Sequence, residues 1–263
     1  MRFGVCADID KAPLLKSVGY DYFESSFSKL GAMEESEFAD FECEAVKLDF
    51  YPEAMNAMLP GTFRLTGETA DLSPVKPFLQ TAFKRARDVG TRVVVFGSGG
   101  ARNLPEGFTD RGRAYDQLVE YLRMAGELAG SQEIEIAIEP LRFGESNIVN
   151  LYVEGVYLAT RTGLPNVRCL VDYYHAAMNE EDMEGIAKLG DRLAHCHIAR
   201  KQGRSFPLPG DGQDYSPFFN ALKVAGYTAR ISIEGNPENG LEADAVKTLE
   251  LLRSYALTSG GSV

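Results

Sequence analysis

The stretch Ile134-Glu-Ile-Ala-Ile-Glu139 is a short apolar run that ends in a carboxylate. Three later runs, over residues 167–172, 193–198 and 229–234, have a similar form and carry Asp172, His197 and Glu234 at or near their ends. Short apolar runs rich in β-branched residues are typical of buried strands. We therefore predict four strands, each with a metal-ligating residue type near its C-terminal end.

Similar runs occur in the first half of the chain, at Arg2 to Cys6, Tyr20 to Glu24, Cys43 to Phe50 and Arg92 to Phe96. Segments of helical period separate the eight runs, which gives roughly 33 residues per strand-helix unit. This size predicts an α/β fold, a single (β/α)8 TIM barrel over residues 1–257, with 258–263 as a flexible C-terminal tail. A doubly wound open sheet is the rival, but the first turn, Ala7-Asp-Ile-Asp-Lys11, lacks the usual glycine-rich fingerprint.

Charge and composition exclude several classes of function. Lys and Arg total 27 against 38 Asp and Glu, a net charge of -11, which argues against a nucleic-acid partner. No apolar run approaches the roughly 18 residues that cross a membrane. The four cysteines have no paired short spacing, and no apolar leader precedes the first strand, so we expect a reduced, cytoplasmic protein. A homo-oligomer is compatible with this composition.

The four strand-end residues suggest a metal site. In a barrel, active sites lie at the C-terminal ends of the strands, where Glu139, Asp172, His197 and Glu234 would converge. Carboxylates so close together would repel one another unless a cation held them. Three carboxylates and one imidazole suit one divalent ion, with Mn²⁺ or Mg²⁺ favoured and Zn²⁺, Co²⁺ or Fe²⁺ as alternatives. The competing interpretation is four ordinary polar residues at strand ends.

Longer motifs surround these residues. They are Ile-Glu139-Pro-Leu followed by Glu145 and Asn150, Val-Asp172-Tyr-Tyr-His175, His195-Cys-His197-Ile-Ala, Gly203-Arg204 with a downstream Gly-Asp-Gly, and Gly226-Tyr227 before Ile-Ser-Ile-Glu234. Through them the chain resembles the xylose-isomerase-like TIM-barrel superfamily, which includes sugar phosphate isomerases and epimerases, ketose 3-epimerases and, more distantly, apurinic-site endonucleases. The resemblance implies that Glu139, Asp172, His197 and Glu234 bind the metal, and that Glu139 and Glu234 are also the acid/base pair.

Such a pair has a clear chemical use. Proton transfer beside a carbonyl passes through an enediolate, whose charge a metal can stabilise, while two carboxylates remove and return the proton. We therefore predict a divalent-metal-dependent isomerase or epimerase of a small carbohydrate. A metal-dependent lyase, either a dehydratase or a C-glycoside-cleaving enzyme on a keto sugar, would use the same residues. An apurinic-site endonuclease is a distant alternative, because three histidines are too few for a multi-zinc centre.

Four further residues are candidates for substrate binding: His175, Arg204, Glu145 and Asn150. His175 and Arg204 match the substrate-binding histidine and arginine of the family, although a helix-capping histidine and a surface arginine are the alternatives. Arg204 lies in a glycine-rich loop, where its planar guanidinium could bind substrate oxygens. Glu145 and Asn150 follow Glu139 in a loop expected to close over the substrate.

Other polar residues near the predicted barrel mouth each allow two interpretations. Glu24 is either a site residue or part of a salt bridge inside the barrel, and His195 is expected to lie in the core or behind the metal ligands. The loop Gly97-Ser-Gly-Gly100, with Arg102 beside it, offers backbone N–H groups to an anionic or polyhydroxylated ligand. An ordinary tight turn explains that glycine cluster equally well.

Overall fold

A computed structural model describes residues 1–257 of the chain. Eight parallel strands form a closed barrel in sequence order, and the last strand pairs with the first. The fold is therefore a (β/α)8 TIM barrel, as the strand-helix repeat predicts. The strands are β1 (Arg2–Cys6), β2 (Tyr22–Ser26), β3 (Ala54–Asn56), β4 (Val93–Phe96), β5 (Glu135–Ile138), β6 (Val167–Asp172), β7 (Leu193–Ile198) and β8 (Arg230–Ile233).

Helices connect the strands. They are α1 (Ala12–Val18), α2 (Phe27–Ala32), α3 (Glu35–Leu48), α4 (Val75–Asp88), α5 (Gly99–Arg102), α6 (Arg111–Gly130), α7 (Tyr152–Thr162), α8 (Tyr173–Met178), α9 (Ser216–Val224) and α10 (Leu241–Leu257), with short 3₁₀ helices at Ile9–Lys11, Met183–Lys188 and Gly190–Arg192. Within residues 1–257, no helix is both long and apolar enough to cross a membrane. The flexible tail predicted at 258–263 lies outside the described residues.

The core has two parts because side chains of each strand alternate between the two faces of the barrel wall. Val93 and Val95 of β4 belong to a small cluster inside the barrel, whereas Val94 and Phe96 pack in the larger layer between the strands and the helices. Each helix buries one stripe in this outer layer. In α4 the stripe includes Leu79, Ala82, Phe83 and Ala86.

The structure corrects the prediction for the third strand. Cys43 to Phe50, predicted as a strand, belongs largely to α3, and β3 is the three-residue strand Ala54–Asn56. Buried Phe38, Phe41 and Ala45 recur at helical spacing, and a capping box begins the helix. The apolar residues after Cys43 are thus the end of a helical stripe.

The second strand is displaced by two residues from its prediction. It spans Tyr22–Ser26 rather than Tyr20 to Glu24, so Glu24 lies in the middle of β2. The pairings in the second half of the barrel place two of the predicted ligands, Asp172 and His197, side by side. Asp172 pairs with His197, and His197 pairs with Ser232, two residues before Glu234.

Candidate active site

The four residues predicted to bind a metal meet at the C-terminal mouth of the barrel. Glu139 and Glu234 directly follow β5 and β8, Asp172 ends β6, and His197 lies in β7. One side-chain atom from each of the four lies within 4.8 Å of the others. Strand pairing therefore brings together residues that are far apart in the sequence, because the four strands are neighbours in one parallel sheet.

His197 is at the centre of this group. Its Nδ1 lies 3.1 Å from Glu139 Oε1 and 3.2 Å from Glu234 Oε2, while its Nε2 lies 2.9 Å from Glu24 Oε1. The imidazole is fully buried, and each of its nitrogens faces carboxylate oxygen. Burial alone would lower the pKa of His197, but Glu24 and Glu234 outweigh it and raise that pKa well above its usual value.

The carboxylates differ in their affinity for protons. Burial, with the charges of Glu234 and Glu139, raises the pKa of Asp172 to about 7, and burial with Glu234 also raises the pKa of Glu139. Burial acts in the same direction on Glu234, but His197 and Arg204 outweigh it and lower that pKa to about 2. The two glutamates beside His197 are thus tuned in opposite directions, as in acid/base pairs.

The donor set fits a hard divalent cation. Asp172 Oδ2 is a buried oxygen with no hydrogen-bond partner. Such an atom is costly in a folded protein unless a ligand or ion completes its environment. Three carboxylates and one imidazole are the ligand types that Mn²⁺ and Mg²⁺ accept, and Zn²⁺, Co²⁺ and Fe²⁺ are compatible with them.

The lack of a side chain at Gly97 makes room for the carboxylate of Glu139. A Cβ atom at residue 97 would lie 2.2 Å from Glu139 Oε2, which is far inside van der Waals contact. The predicted glycine loop after β4 therefore contributes to this site by its lack of a side chain. Its residues Gly99 to Arg102 form the short helix α5.

His175 presents one ring nitrogen to the same group. Its Nδ1 accepts a hydrogen bond from the backbone N–H of Arg142 at 3.2 Å, and burial, with the charge of Arg204, lowers the pKa of His175 to about 3. The ring is therefore neutral, and its proton is on Nε2. This buried Nε2 has no hydrogen-bond partner and lies 3.5 Å from Asp172 Oδ2.

Arg204 and Glu145 lie on the solvent side of the ligand group. The Arg204 Nη2 donates to Glu234 Oε2 at 2.7 Å and lies 3.8 Å from Asp172 Oδ2, and Nη1 lies 3.6 Å from Glu145 Oε2. The guanidinium also stacks over the Tyr174 ring, with 5.0 Å from its central carbon to the ring centroid. Arg204 has a φ of 46°, a conformation that is uncommon outside glycine and often associated with functional sites.

Asn150 and Arg102 are placed differently from the other candidates. The buried Asn150 amide donates to the carbonyls of Leu141 and Ser146, each at 2.8 Å, within its own loop. Arg102 is fully buried, and its guanidinium donates to the carbonyls of Phe96 and Val149. These contacts brace the loops around the site, and none of them joins Asn150 or Arg102 to the four ligand residues.

Some contributors had little or no signal in the sequence. Arg142 donates its backbone N–H to His175 and an Nε–H to Glu145 at 2.7 Å, which links two candidate substrate residues. Nothing in a single sequence marks that role. Cys6 ends β1 and offers an atom within 4.8 Å of atoms of Glu24 and His197. Cys6 is a metal-ligating residue type at the end of the first apolar run, so the pattern that identified the four predicted ligands would also have identified it.

Comparison with known proteins places this arrangement in a family. The sequence model described as the xylose isomerase-like TIM barrel matches residues 13–255. The chain belongs to this family. The resemblance drawn from the sequence motifs is thereby confirmed.

Among curated proteins, the chain is similar to an L-ribulose 3-epimerase of Methylomonas sp. (strain DH-1), with 30% identity over 117 residues, 44% of this chain and 40% of that protein. It is similar also to a D-psicose 3-epimerase of Agrobacterium fabrum, with 27% identity over 127 residues, 48% of this chain and 43% of that protein. The matches thus span less than half of these two relatives.

Solved structures agree on the fold over nearly the whole chain. A D-psicose 3-epimerase from Clostridium cellulolyticum H10, crystallised with D-tagatose, superposes with a TM-score of 0.85 at 17% identity and covers 97% of this chain and 99% of that chain. A 3-keto-D-glucoside 4-epimerase from E. coli gives 0.80 at 19% identity, with the same coverage. At this identity the likeness establishes the barrel and not the reaction.

Proposed function

We propose that this chain is a divalent-metal-dependent epimerase of a small, unphosphorylated ketose. One observation carries the proposal: Glu139 and Glu234 reach the same imidazole nitrogen from different strands, at 3.1 and 3.2 Å. Two carboxylates that reach one position from different strands can act as a base and an acid, so that one removes a proton from a face of a substrate carbon and the other returns a proton to the opposite face. The curated 3-epimerase relatives support the same reaction class.

Glu139, Asp172, His197 and Glu234 would hold the cation. When bound, it would supply Lewis-acid stabilisation of the negative charge that develops on substrate oxygens during proton removal. The unpaired Asp172 Oδ2 and the short distances among the four ligand atoms support this assignment. Mn²⁺ or Mg²⁺ fits the oxygen-rich set best.

The opposite tuning of the two glutamates suggests which one acts first. Glu234 has a lowered pKa and is ionised at neutral pH, so it is the candidate base. Glu139 has a raised pKa, because it is buried beside Glu234, and it is the candidate acid. In the reverse reaction the two residues exchange roles, as an epimerase requires.

His175 and Arg204 would bind and orient the substrate. The Nε2–H of His175 is a buried donor without a partner, so an oxygen of the sugar would satisfy it. Arg204 and Glu145 lie above the ligand group, where one offers N–H donors and the other offers acceptor oxygens. Such a mixture of donors and acceptors suits the hydroxyl and keto oxygens of a sugar.

The arginine side chains around the site favour a substrate without phosphate. Arg142 and Arg204 contact carboxylates, and Arg102 is fully buried against backbone carbonyls. Each guanidinium is therefore already compensated or inaccessible. A phosphate would have to compete with these contacts, whereas a neutral sugar would not.

A substrate panel tests the proposal. Protein stripped with a chelator and reloaded with Mn²⁺ is incubated with D-fructose, D-psicose, D-tagatose, L-ribulose, the corresponding phosphates and a 3-keto-glucoside, and the products are identified by NMR. We expect a free ketose to be converted to its epimer only in the reloaded sample. Turnover restricted to phosphates would refute the substrate class, and elimination from the keto-glucoside would assign the lyase alternative.

A further inference from the structure

Below the ligand group, the carboxylate of Glu24 joins two histidines. Glu24 is 1% exposed, and its Oε1 lies 2.9 Å from His197 Nε2 while its Oε2 lies 2.8 Å from His195 Nε2. The Ser232 hydroxyl donates to Oε2 at 2.5 Å and pairs with the Tyr22 hydroxyl at 2.9 Å. Both oxygens are thus engaged by groups on two other strands, β7 and β8.

The chemistry of a carboxylate determines the direction of these hydrogen bonds. An ionised carboxylate only accepts hydrogen bonds, and the two oxygens of Glu24 lie within hydrogen-bond distance of the Ser232 hydroxyl and of the Nε2 atoms of His195 and His197. The Nε2 atoms of His195 and His197 must therefore both carry protons. Since Ser232 donates to Glu24, its oxygen is left to accept from Tyr22.

This arrangement holds the imidazole of His197 by the nitrogen that faces away from Glu139 and Glu234. Nε2 is committed to Glu24, so the ring can offer only Nδ1 to the position between Glu139 and Glu234. Carboxylates behind metal-binding histidines commonly orient the ring in this way and increase its basicity. The second oxygen of Glu24 is held by His195 and Ser232, which stops the carboxylate from rotating away.

We propose that Glu24 is a positioning residue, which accepts the Nε2–H of His197 and so directs Nδ1 toward the divalent cation. The inference rests on the metal site of the proposed function, but it does not depend on the substrate or the reaction. Cation binding alone can therefore test it, and a failure of the epimerase proposal would leave the result interpretable.

The first experiment measures cation affinity without substrate. Stripped protein is titrated with Mn²⁺ while free Mn²⁺ is followed by EPR, in the wild type, in Glu24→Gln and in Tyr22→Phe as matched control. Tyr22→Phe removes a buried hydroxyl of the same network but leaves the Glu24–His197 contact. We expect Kd to rise about 10- to 100-fold in Glu24→Gln and to change less than about twofold in Tyr22→Phe. An unchanged Kd in Glu24→Gln would overturn the role.

A second experiment uses the folded wild type and so does not depend on the stability of a variant. In protein labelled with ¹⁵N-histidine and loaded with Zn²⁺, only three histidines contribute to the NMR spectrum. We expect His197 to be protonated at Nε2 and bound through Nδ1. A metal-bound Nε2 in His197 would overturn the proposal.

Loading with Co²⁺ distinguishes a positioning residue from a direct ligand. Cys6, Glu24 and His197 offer atoms within 4.8 Å of one another, so these three residues form an alternative binding site for the ion. We expect the cobalt spectrum to lack a thiolate-to-cobalt charge-transfer band. Such a band, abolished in Cys6→Ser, would make Glu24 a ligand and overturn the positioning role.

Discussion

Replacing Gly97 with alanine is expected to impair the site while leaving the barrel folded. The added Cβ would lie 2.2 Å from Glu139 Oε2, and ordinary contact begins near 3.4 Å, so the carboxylate has to move by about 1.2 Å. Gly97 does not have a positive φ, so alanine fits the backbone there. The atom that must move is the end of a flexible side chain, so the change should cost about 1 kcal/mol and lower Tm by roughly 2–4 °C.

The same displacement has a much larger effect on catalysis. A shift of about 1 Å in a reacting group can cost about 10²-fold in rate. We therefore expect Gly97→Ala to lower kcat about 100-fold with Mn²⁺ at saturation. The assay compares initial rates of epimer formation by NMR with Tm from thermal unfolding of the same preparations.

Two further variants sharpen this test. Gly61→Ala is the matched control, because a Cβ there meets its nearest neighbour at 3.7 Å, an ordinary contact, and it should retain the wild-type rate. Glu139→Asp withdraws the carboxylate by about one C–C bond, ~1.5 Å. The double variant Gly97→Ala/Glu139→Asp should therefore lose less activity than the two single effects combined. Near-normal kcat in Gly97→Ala, or an equal loss in Gly61→Ala, would refute the steric reasoning.

Three other predictions follow from the same geometry. Glu139→Gln and Glu234→Gln should each lower kcat by at least about 10² without unfolding the protein, and near-normal turnover in either would show that residue to be a ligand only. Arg204→Lys keeps the charge but loses the planar fork, so kcat/KM should fall at unchanged metal content, by an amount equivalent to roughly 1–3 kcal/mol of lost transition-state stabilisation. A change in metal content would point to a different role. Because the pKa of Asp172 is raised to about 7 and that of His197 is also raised, these groups bind protons that a cation must displace. Mn²⁺ affinity should thus fall as pH is lowered from 8 to 6, and about one to two protons should be released per ion bound at pH 7. Calorimetry in buffers of different ionisation enthalpy measures this release. Binding without proton release would contradict the pKa shifts.

The sequence was informative where a strand is long and ends in a chemically distinctive residue. β6 and β7 are six residues each, and their apolar runs locate Asp172 and His197 correctly. β3 has only three residues, which is too short for a recognisable pattern, and the neighbouring helix α3 supplied a misleading apolar run. The predicted number of strand-helix units was still right, because the false strand lies close in sequence to β3.

Within the site, residue types could be predicted but hydrogen-bond partners could not. The buried guanidinium of Arg102 and the amide of Asn150 contact backbone carbonyls, and side-chain identity does not encode such contacts. The proton position on His175 depends on a backbone N–H from the loop of Arg142. Loop conformation decides these features, and a single sequence does not specify it.

Solvent deuterium incorporation tests the central claim most directly, namely that Glu139 and Glu234 transfer a proton at the carbon beside a keto group. The Mn²⁺-loaded protein is incubated in D₂O with the ketose that it converts, and both epimers are examined by ¹H NMR. We expect deuterium at the inverted carbon next to the keto group, with exchange slowed at least about 10²-fold in Glu234→Gln. Conversion without deuterium at that carbon, or exchange that persists at the wild-type rate in Glu139→Gln and Glu234→Gln, would contradict it.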